Sequence, residues 1–428
     1  MPVASAIREL KNAPHIAALA HRECRKTWTA NMFAGAAMWT FIVASSWFTL
    51  SYSDSSTWVG IITFASMIPF LVVSLPGGLM ADRVDRRTLA QITLFAGFIV
   101  TAILAVLVIS GTVQLWHVAV LAFLGGGFRA IQEPTIAALV PNQVPQNVLL
   151  NAITLNAATR HGARFFGLLI AAPLLAIPSI SVAGVLVLSA LLAGVSTLLM
   201  ARVKTVSTGR GRVGQGMVGG ALKDMWDGLT YIYTSKPIAL IIILVALHCA
   251  LVMSFESIMP VFSQENLGAT DGSILGYLVM GFGLGSLIGT MLLAGVRSEK
   301  VKGQLLIWTS LFSGFTPMLL AVSFNVPMGV VASFGMGISQ ATMMALTSTY
   351  IQTLAPDRLR GRISSLYILH AGGIMAFANL GYGIGADYIS ASPILFTTGV
   401  TFIAFVVLLG VGQPILRQIY RTGQVATA

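Results

Sequence analysis

The residues most able to do chemistry in this chain are charged groups embedded in long apolar runs. Arg129, Gln132 and Glu133 recur at i, i+3 and i+4 and share one helical face. Asn156, Arg160 and Arg164 make a second stripe about one helix later. At 1.5 Å per residue, Glu133 lies about 10 Å from the cytosolic end, Arg129 and Arg160 about 15 Å, and Arg164 about 20 Å. Adjacent antiparallel helices bring Glu133 within reach of two arginines. It is then either a standing counter-ion or a switch that changes partner, and Arg164 is left to a solvated cavity or an anionic ligand group. Further on, Glu256 and His248 lie two turns apart in another apolar run. A carboxyl desolvated at Glu256 holds its proton tightly enough to carry it, whereas one facing an outer vestibule is hydrated and idle. Asp387 ends a later run and suits a water interface, although it too is a candidate for proton coupling. His161 and His370 read as satisfied core histidines.

No pattern for a nucleotide-binding loop, a metal-ligand set or a nucleophile with its base occurs, so the expectation is a non-enzyme without metal or cofactor. Cys24 and Cys249, the two cysteines, are far apart in sequence and in depth, which argues against a disulfide.

The elements that must position these groups are membrane-spanning helices. The chain has 428 residues, 56% hydrophobic and 9% charged, with mean hydropathy +0.85 and net charge +11. A soluble domain carries roughly 25% charged residues. At about 20 residues per crossing, spans are predicted near 29–50, 57–79, 88–110, 115–140, 148–175 and 180–202. A second set follows near 238–262, 272–296, 304–324, 326–353, 363–387 and 393–414.

Lys and Arg fill alternate gaps between these runs: Arg22 to Lys26, Arg83 to Arg87, Arg202 to Lys236, Arg297 to Lys302, Arg358 to Arg362, and Arg417 to Arg421. The gaps around Asp54, Gly111, Pro178, Glu265, Asn325 and Ser390 hold none. Only the uncharged turn at 141–146 breaks the series. Because cationic loops stay in the cytosol, both ends are placed there, in the cytoplasmic (inner) membrane. The basic excess is therefore a topology signal, with lipid headgroups as its partner and no nucleic acid.

The expected organisation is a cytosolic segment 1–27, a six-helix bundle 28–203, a linker 204–237, a second bundle 238–416 and a tail 417–428. Within the linker, Leu222, Trp226, Leu229 and Tyr233 recur at helical spacing and predict an amphipathic surface helix. The halves look duplicated. Gly125-Gly126-Gly127 is similar to Gly335-Met336-Gly337, and the run from Pro145 to Leu155 matches that from Pro356 to Leu366.

The loop after the second span reads Gly77-Gly78-Leu79-Met80-Ala81-Asp82-Arg83-Val84-Asp85-Arg86-Arg87. It resembles the Gly-x-Leu-Ala-Asp-Arg-x-Gly-Arg-Arg signature of the major facilitator superfamily. Asp85, standing where that signature has Gly, and Arg358-Leu-Arg360-Gly361-Arg362 are similar to the branch containing the enterobactin exporter and macrolide-efflux-type proteins. The resemblance covers all twelve helices. It implies an all-α fold of two six-helix bundles about a pseudo-twofold axis along the membrane normal, acting as a monomer. It also implies proton-coupled export of a small amphipathic molecule by alternating access.

Uptake or uniport of a small organic anion is the nearest alternative, and a lipid flippase or a membrane sensor the more distant ones. The cytosolic gate falls on Gly78, Asp82, Arg83, Arg86 and Arg87. The cavity candidates are Asn31, Trp39, Ser46, Gln132, Asn156, Gln340 and Asn379. Antiporters of this superfamily carry Gly-Pro in the fifth helix, whereas this chain reads Gly167-Leu168 there.

Overall fold

The computed structural model describes residues 16–207, 217–356 and 359–424, without the side chains of 74–83, 217–225 and 361. Among the described residues every regular element is helical. The first half comprises α1 (Arg22–Ser53), α2 (Ser56–Arg83), α3 (Arg86–Ile109), α4 (Leu115–Leu139), α5 (Leu149–Leu175) and α6 (Ser181–Ala201). The linker helix is α7 (Met217–Thr234). There follow α8 (Lys236–His248), α9 (Met259–Leu267), α10 (Ser273–Ala294), α11 (Glu299–Ala321), α12 (Val326–Leu354), α13 (Arg360–Ile389), α14 (Ala391–Gly412) and α15 (Pro414–Thr422).

Eleven segments are long and apolar enough to cross a membrane. The 27-residue α5 is a twelfth helix of spanning length, its hydropathy lowered by Asn151, Asn156, Arg160, His161 and Arg164. Helices suit the bilayer because each satisfies its own backbone groups where no water is available.

Two compact units emerge. The described residues of 1–54, 65–212 and 271–283 form one, and those of 55–64, 213–270 and 284–428 the other. Small residues set the packing in each, as expected where lipid supplies no hydrophobic drive between helices. In the first unit a Cβ on Gly167 would stand 2.7 Å from the Ala36 carbonyl, so α5 lies directly against α1. Gly126 brings α4 onto the Ser66 carbonyl of α2. In the second unit Gly285 of α10 meets the Phe334 carbonyl of α12, and Gly303 of α11 meets the Ile419 carbonyl of α15.

One expectation changes here. The run 238–262 is not one helix: α8 stops at His248, a π-helical turn covers Cys249–Met253, and α9 begins at Met259 with Pro260 in its first turn. Proline lacks the N–H that would continue the ladder. Neighbouring side chains satisfy the freed groups. Asn379 accepts from the Ser257 N–H at 3.1 Å, Tyr382 donates to the Leu251 carbonyl at 3.0 Å, and the Ser254 hydroxyl donates to the Cys249 carbonyl at 2.7 Å.

The linker helix α7 carries the stripe read from its sequence, of which Leu222 lies outside the residues whose side chains are described. It packs through Gly228, Leu229 and the fully buried Ile232, whereas Trp226 and Tyr233 are exposed. The reason is local: Gly228 admits the Leu366 side chain of α13, and Asp227 lies 3.8 Å from Arg362.

Candidate substrate-binding cavity

A cavity of about 240 Å³ opens within the first unit, bounded by α1, α2, α3, α4, α5 and α6. Its walls are largely apolar, with Met38, Phe41, Ile42, Leu94, Phe98 and Phe128 among them. Polar groups enter from three places. α1 contributes Asn31 and Trp39, α4 contributes Arg129, Gln132 and Glu133, and α5 contributes Asn156 and Arg160. The spacing i, i+3, i+4 on α4 and i, i+4 on α5 turns these groups to the same side of each helix. Apolar walls with a few convergent polar groups are the usual form of a small-molecule site.

The charges form a chain. Glu133 accepts from Arg160 Nη2 at 3.0 Å, and its other oxygen lies 3.8 Å from Arg129 Nε. Arg129 is further held by the Phe70 ring, 4.7 Å from its guanidinium carbon, and by the Met38 sulfur at 2.8 Å from Nη1. The Asn31 side-chain amide donates to the Asn156 side-chain oxygen, Oδ1, at 3.0 Å, bracing α1 against α5. The Arg160 side chain is 69% exposed. An arginine so exposed at this depth belongs to a hydrated cavity and not to lipid.

Arg164 is placed differently from the sequence expectation. It is 6% exposed and absent from the cavity lining. Its guanidinium stacks 3.3 Å from the centre of the Trp39 ring and 4.5 Å from that of Phe282. Aromatic faces carry the negative end of a quadrupole, so a desolvated arginine gains about 2 kcal/mol from such a contact.

Of the remaining candidates, Asn31, Trp39, Gln132 and Asn156 line the cavity, and Ser46 on the same helix does not. Gln340 and Asn379 are fully buried against the α8–α9 break, where they serve the backbone of Val252 and Ser257. They support a broken helix and do not line the cavity. His248 is fully buried, bonded through Nε2 to the Ser313 hydroxyl at 2.6 Å and packed on Phe402. Glu256 is half-buried within the break itself. Asp387 accepts from the Ser55 hydroxyl and from the backbone N–H groups of Ser56 and Thr57. His370 joins Tyr233 of α7 to the Leu366 carbonyl.

Gly78, Asp82 and Arg83 of the gate motif lie outside the residues whose side chains are described. Arg86 bonds the Ala138 carbonyl and the Ser207 hydroxyl, and its N–H meets the Ser207 carbonyl. Arg87 Nε lies 3.8 Å from Asp85. Sequence reasoning missed Met38 and Phe70 as partners of Arg129. The signal for Met38 was present, since Met38 lies seven residues after Asn31 and so on the same face of α1.

Twelve segments of spanning length, packed through glycine in two compact units, with a mostly apolar cavity and a chain of charges among the helices of the first, define a multi-pass membrane protein of the major facilitator fold. The chain belongs to the transmembrane secretion effector family, whose model matches residues 13–417. A staphyloferrin A transporter from Staphylococcus aureus (strain NCTC 8325 / PS 47) is 32% identical over 105 residues. That match spans 24% of this chain and about a quarter, 26%, of the relative.

Solved structures share the fold at low identity. A POT family transporter in complex with a thioalcohol-conjugated peptide superposes with TM-score 0.72 at 12% identity, over 92% of this chain and 96% of that one. A D-xylose–proton symporter superposes with TM-score 0.69 at 11% identity, over 94% and 99%.

Proposed function

We propose that this protein carries a small amphipathic organic molecule across the cytoplasmic membrane by alternating access, working as a monomer with both termini in the cytosol and exporting its substrate against proton entry. The observation that carries the reading is the cavity: about 240 Å³, apolar on most sides, with its charges gathered on α4 and α5. Such a site takes a molecule with an apolar body and one polar end better than a sugar or an inorganic ion. The family's description as secretion effectors supports the outward direction. In this reading Gly78, Asp82, Arg83, Arg86 and Arg87 form the cytosolic gate. The charge chain Arg129–Glu133–Arg160 and the half-buried Glu256 share the coupling.

The test is flux in proteoliposomes driven by an imposed pH gradient, comparing the native protein with Glu133→Gln and Glu256→Gln over a panel of amphipathic cations, anions and neutral compounds. Export that collapses with the gradient and is uncoupled in one of the two variants supports the reading. Flux of an anion that ignores the gradient would make the protein a facilitator.

A further inference from the structure

The cavity has more to give than to accept. Its only carboxylate, among the described lining residues, is Glu133, and that group is already engaged by Arg160 and faced by Arg129. Two guanidinium groups against one carboxylate leave the lining with one net positive charge. A guanidinium has five N–H donors in a fixed fork, and a carboxylate has room to accept from two such groups. Two guanidinium groups to one carboxylate among the described lining residues of a mostly apolar cavity call for a ligand that brings acceptors and negative charge.

The Arg160–Glu133 pair is built to release. Arg129 is packed on Phe70 and Met38, which fixes it. Arg160, by contrast, is 69% exposed and holds Glu133 by a single hydrogen bond at 3.0 Å. A pair that open to water is worth at most about 1 kcal/mol. A fork-to-fork contact with an entering anion is stronger, because it makes two parallel charge-assisted bonds. Exchange also leaves neither side buried alone, since Glu133 keeps Arg129 at 3.8 Å.

We infer that the transported molecule carries an anionic group, a carboxylate or another acid oxygen group, which takes Arg160 from Glu133 while the apolar body lies against Trp39 and Phe98. This rests on the transport reading above, and it names the substrate class that reading leaves open. Glu133 acts as the internal stand-in for the substrate's acid when the cavity is empty.

The test varies the head group on one apolar body. Binding of 1-naphthoate, 1-naphthamide and 1-naphthylmethylammonium to the full chain in lipid nanodiscs is measured by calorimetry. The native protein is compared with Arg160→Gln, Arg160→Lys, Glu133→Gln and Trp39→Leu. The expected result is naphthoate binding at least about tenfold tighter than the amide, the size of one charge-assisted hydrogen bond. That preference should vanish in Arg160→Gln, persist in Arg160→Lys and grow severalfold in Glu133→Gln. A gain of affinity is something misfolding cannot imitate. Tightest binding of the ammonium, lost in Glu133→Gln, would overturn the inference and leave the cavity reading intact, as would equal binding of all three probes weakened by Trp39→Leu. Binding that ignores every substitution, or no binding of any probe, would overturn both.

Discussion

The Asp387 carboxylate, near the end of α13, accepts the backbone N–H of Ser56 at 2.6 Å although 331 residues separate them. The same carboxylate takes the Ser55 hydroxyl at 2.7 Å and the Thr57 N–H at 3.1 Å, so it caps the start of α2 from another helix. The first N–H groups of a helix have no partner within it, and the positive end of the helix dipole adds to the attraction. Just below, Gly60 and Gly383 let the two backbones touch, and Phe64 meets Phe377 edge-on at 5.2 Å. Asp387→Ala is expected to cost about 1 kcal/mol, within the range of a lost N-cap, and to speed amide exchange at Ser56 and Thr57. Hydrogen exchange read at those two amides checks it. Unchanged protection there would mean the cap is ornamental.

Asp85 does the corresponding work at the start of α3, with a pH dependence. Burial pushes its carboxyl up, but bonds from the Ser207 N–H, the Thr88 hydroxyl and the Arg87 N–H, together with the Arg87 charge, outweigh burial and hold it below the usual carboxylate value. A depressed folded value means the stabilisation is fully present above the unfolded value of about 3.9 and is lost as pH falls through the folded one. The stability gap between the native protein and Asp85→Ala should therefore be constant from pH 7 to about 5 and close below about 4. Denaturation midpoints across that range measure it. A gap that widens on acidification would reverse the assignment.

Neighbouring glycines on α4 should respond oppositely to alanine. A methyl on Gly126 would run into the Ser66 carbonyl of α2, whereas one on Gly125 would meet only Val100 at 3.6 Å, an ordinary contact. Gly126→Ala is expected to lose roughly 1–3 kcal/mol through forced separation of α2 and α4. Gly125→Ala should be neutral or slightly stabilising, because alanine is the better helix former. Thermal unfolding of the two variants in detergent, side by side, tests the pair.

The spans and the cavity faces were legible because both rest on short-range periodicity. The apolar runs announce helices, and Arg129, Gln132 and Glu133 at i, i+3 and i+4 must share a face whatever surrounds them. What α4 and α5 bring together follows from their being adjacent and antiparallel. The roles of Arg164, Gln340, Asn379 and Asp387 were not legible, because each depends on a partner distant in sequence. Nothing near Arg164 says that Phe282 will cover it, and nothing near Asp387 points to Ser56. The repeated glycines agree at one position and differ at the next. Gly126, which seats α4 on α2, has Met336 at its counterpart position, whereas the aligned pair Gly125 and Gly335 face Val100 of α3 and Thr316 of α11. The helix break at Cys249–Ile258 hid inside a run long and apolar enough to read as one span, with Ser254, Glu256, Ser257 and Pro260 as its visible signs.

That break supplies the last prediction. Its backbone groups are bonded by a few side chains of α13 and α12 and by Ser254 within the break itself. Asn379 is the central one: fully buried, it accepts from the Ser257 N–H at 3.1 Å and donates to the Met375 carbonyl at 3.0 Å. Asn379→Leu replaces the amide by a side chain of similar size that can do neither. It leaves the Ser257 N–H without that acceptor, at a cost of about 1–3 kcal/mol for a buried group. Asn379→Asp keeps an acceptor for Ser257 but gives up the donation to Met375, and it adds a charge in the membrane. Both variants should unfold at lower temperature than the native protein. The leucine variant should in addition lose amide protection at Ser257, where the aspartate variant retains it. Equal protection at Ser257 in all three proteins would show that the break is held by Tyr382 and Ser254 alone, and that Asn379 contributes only packing.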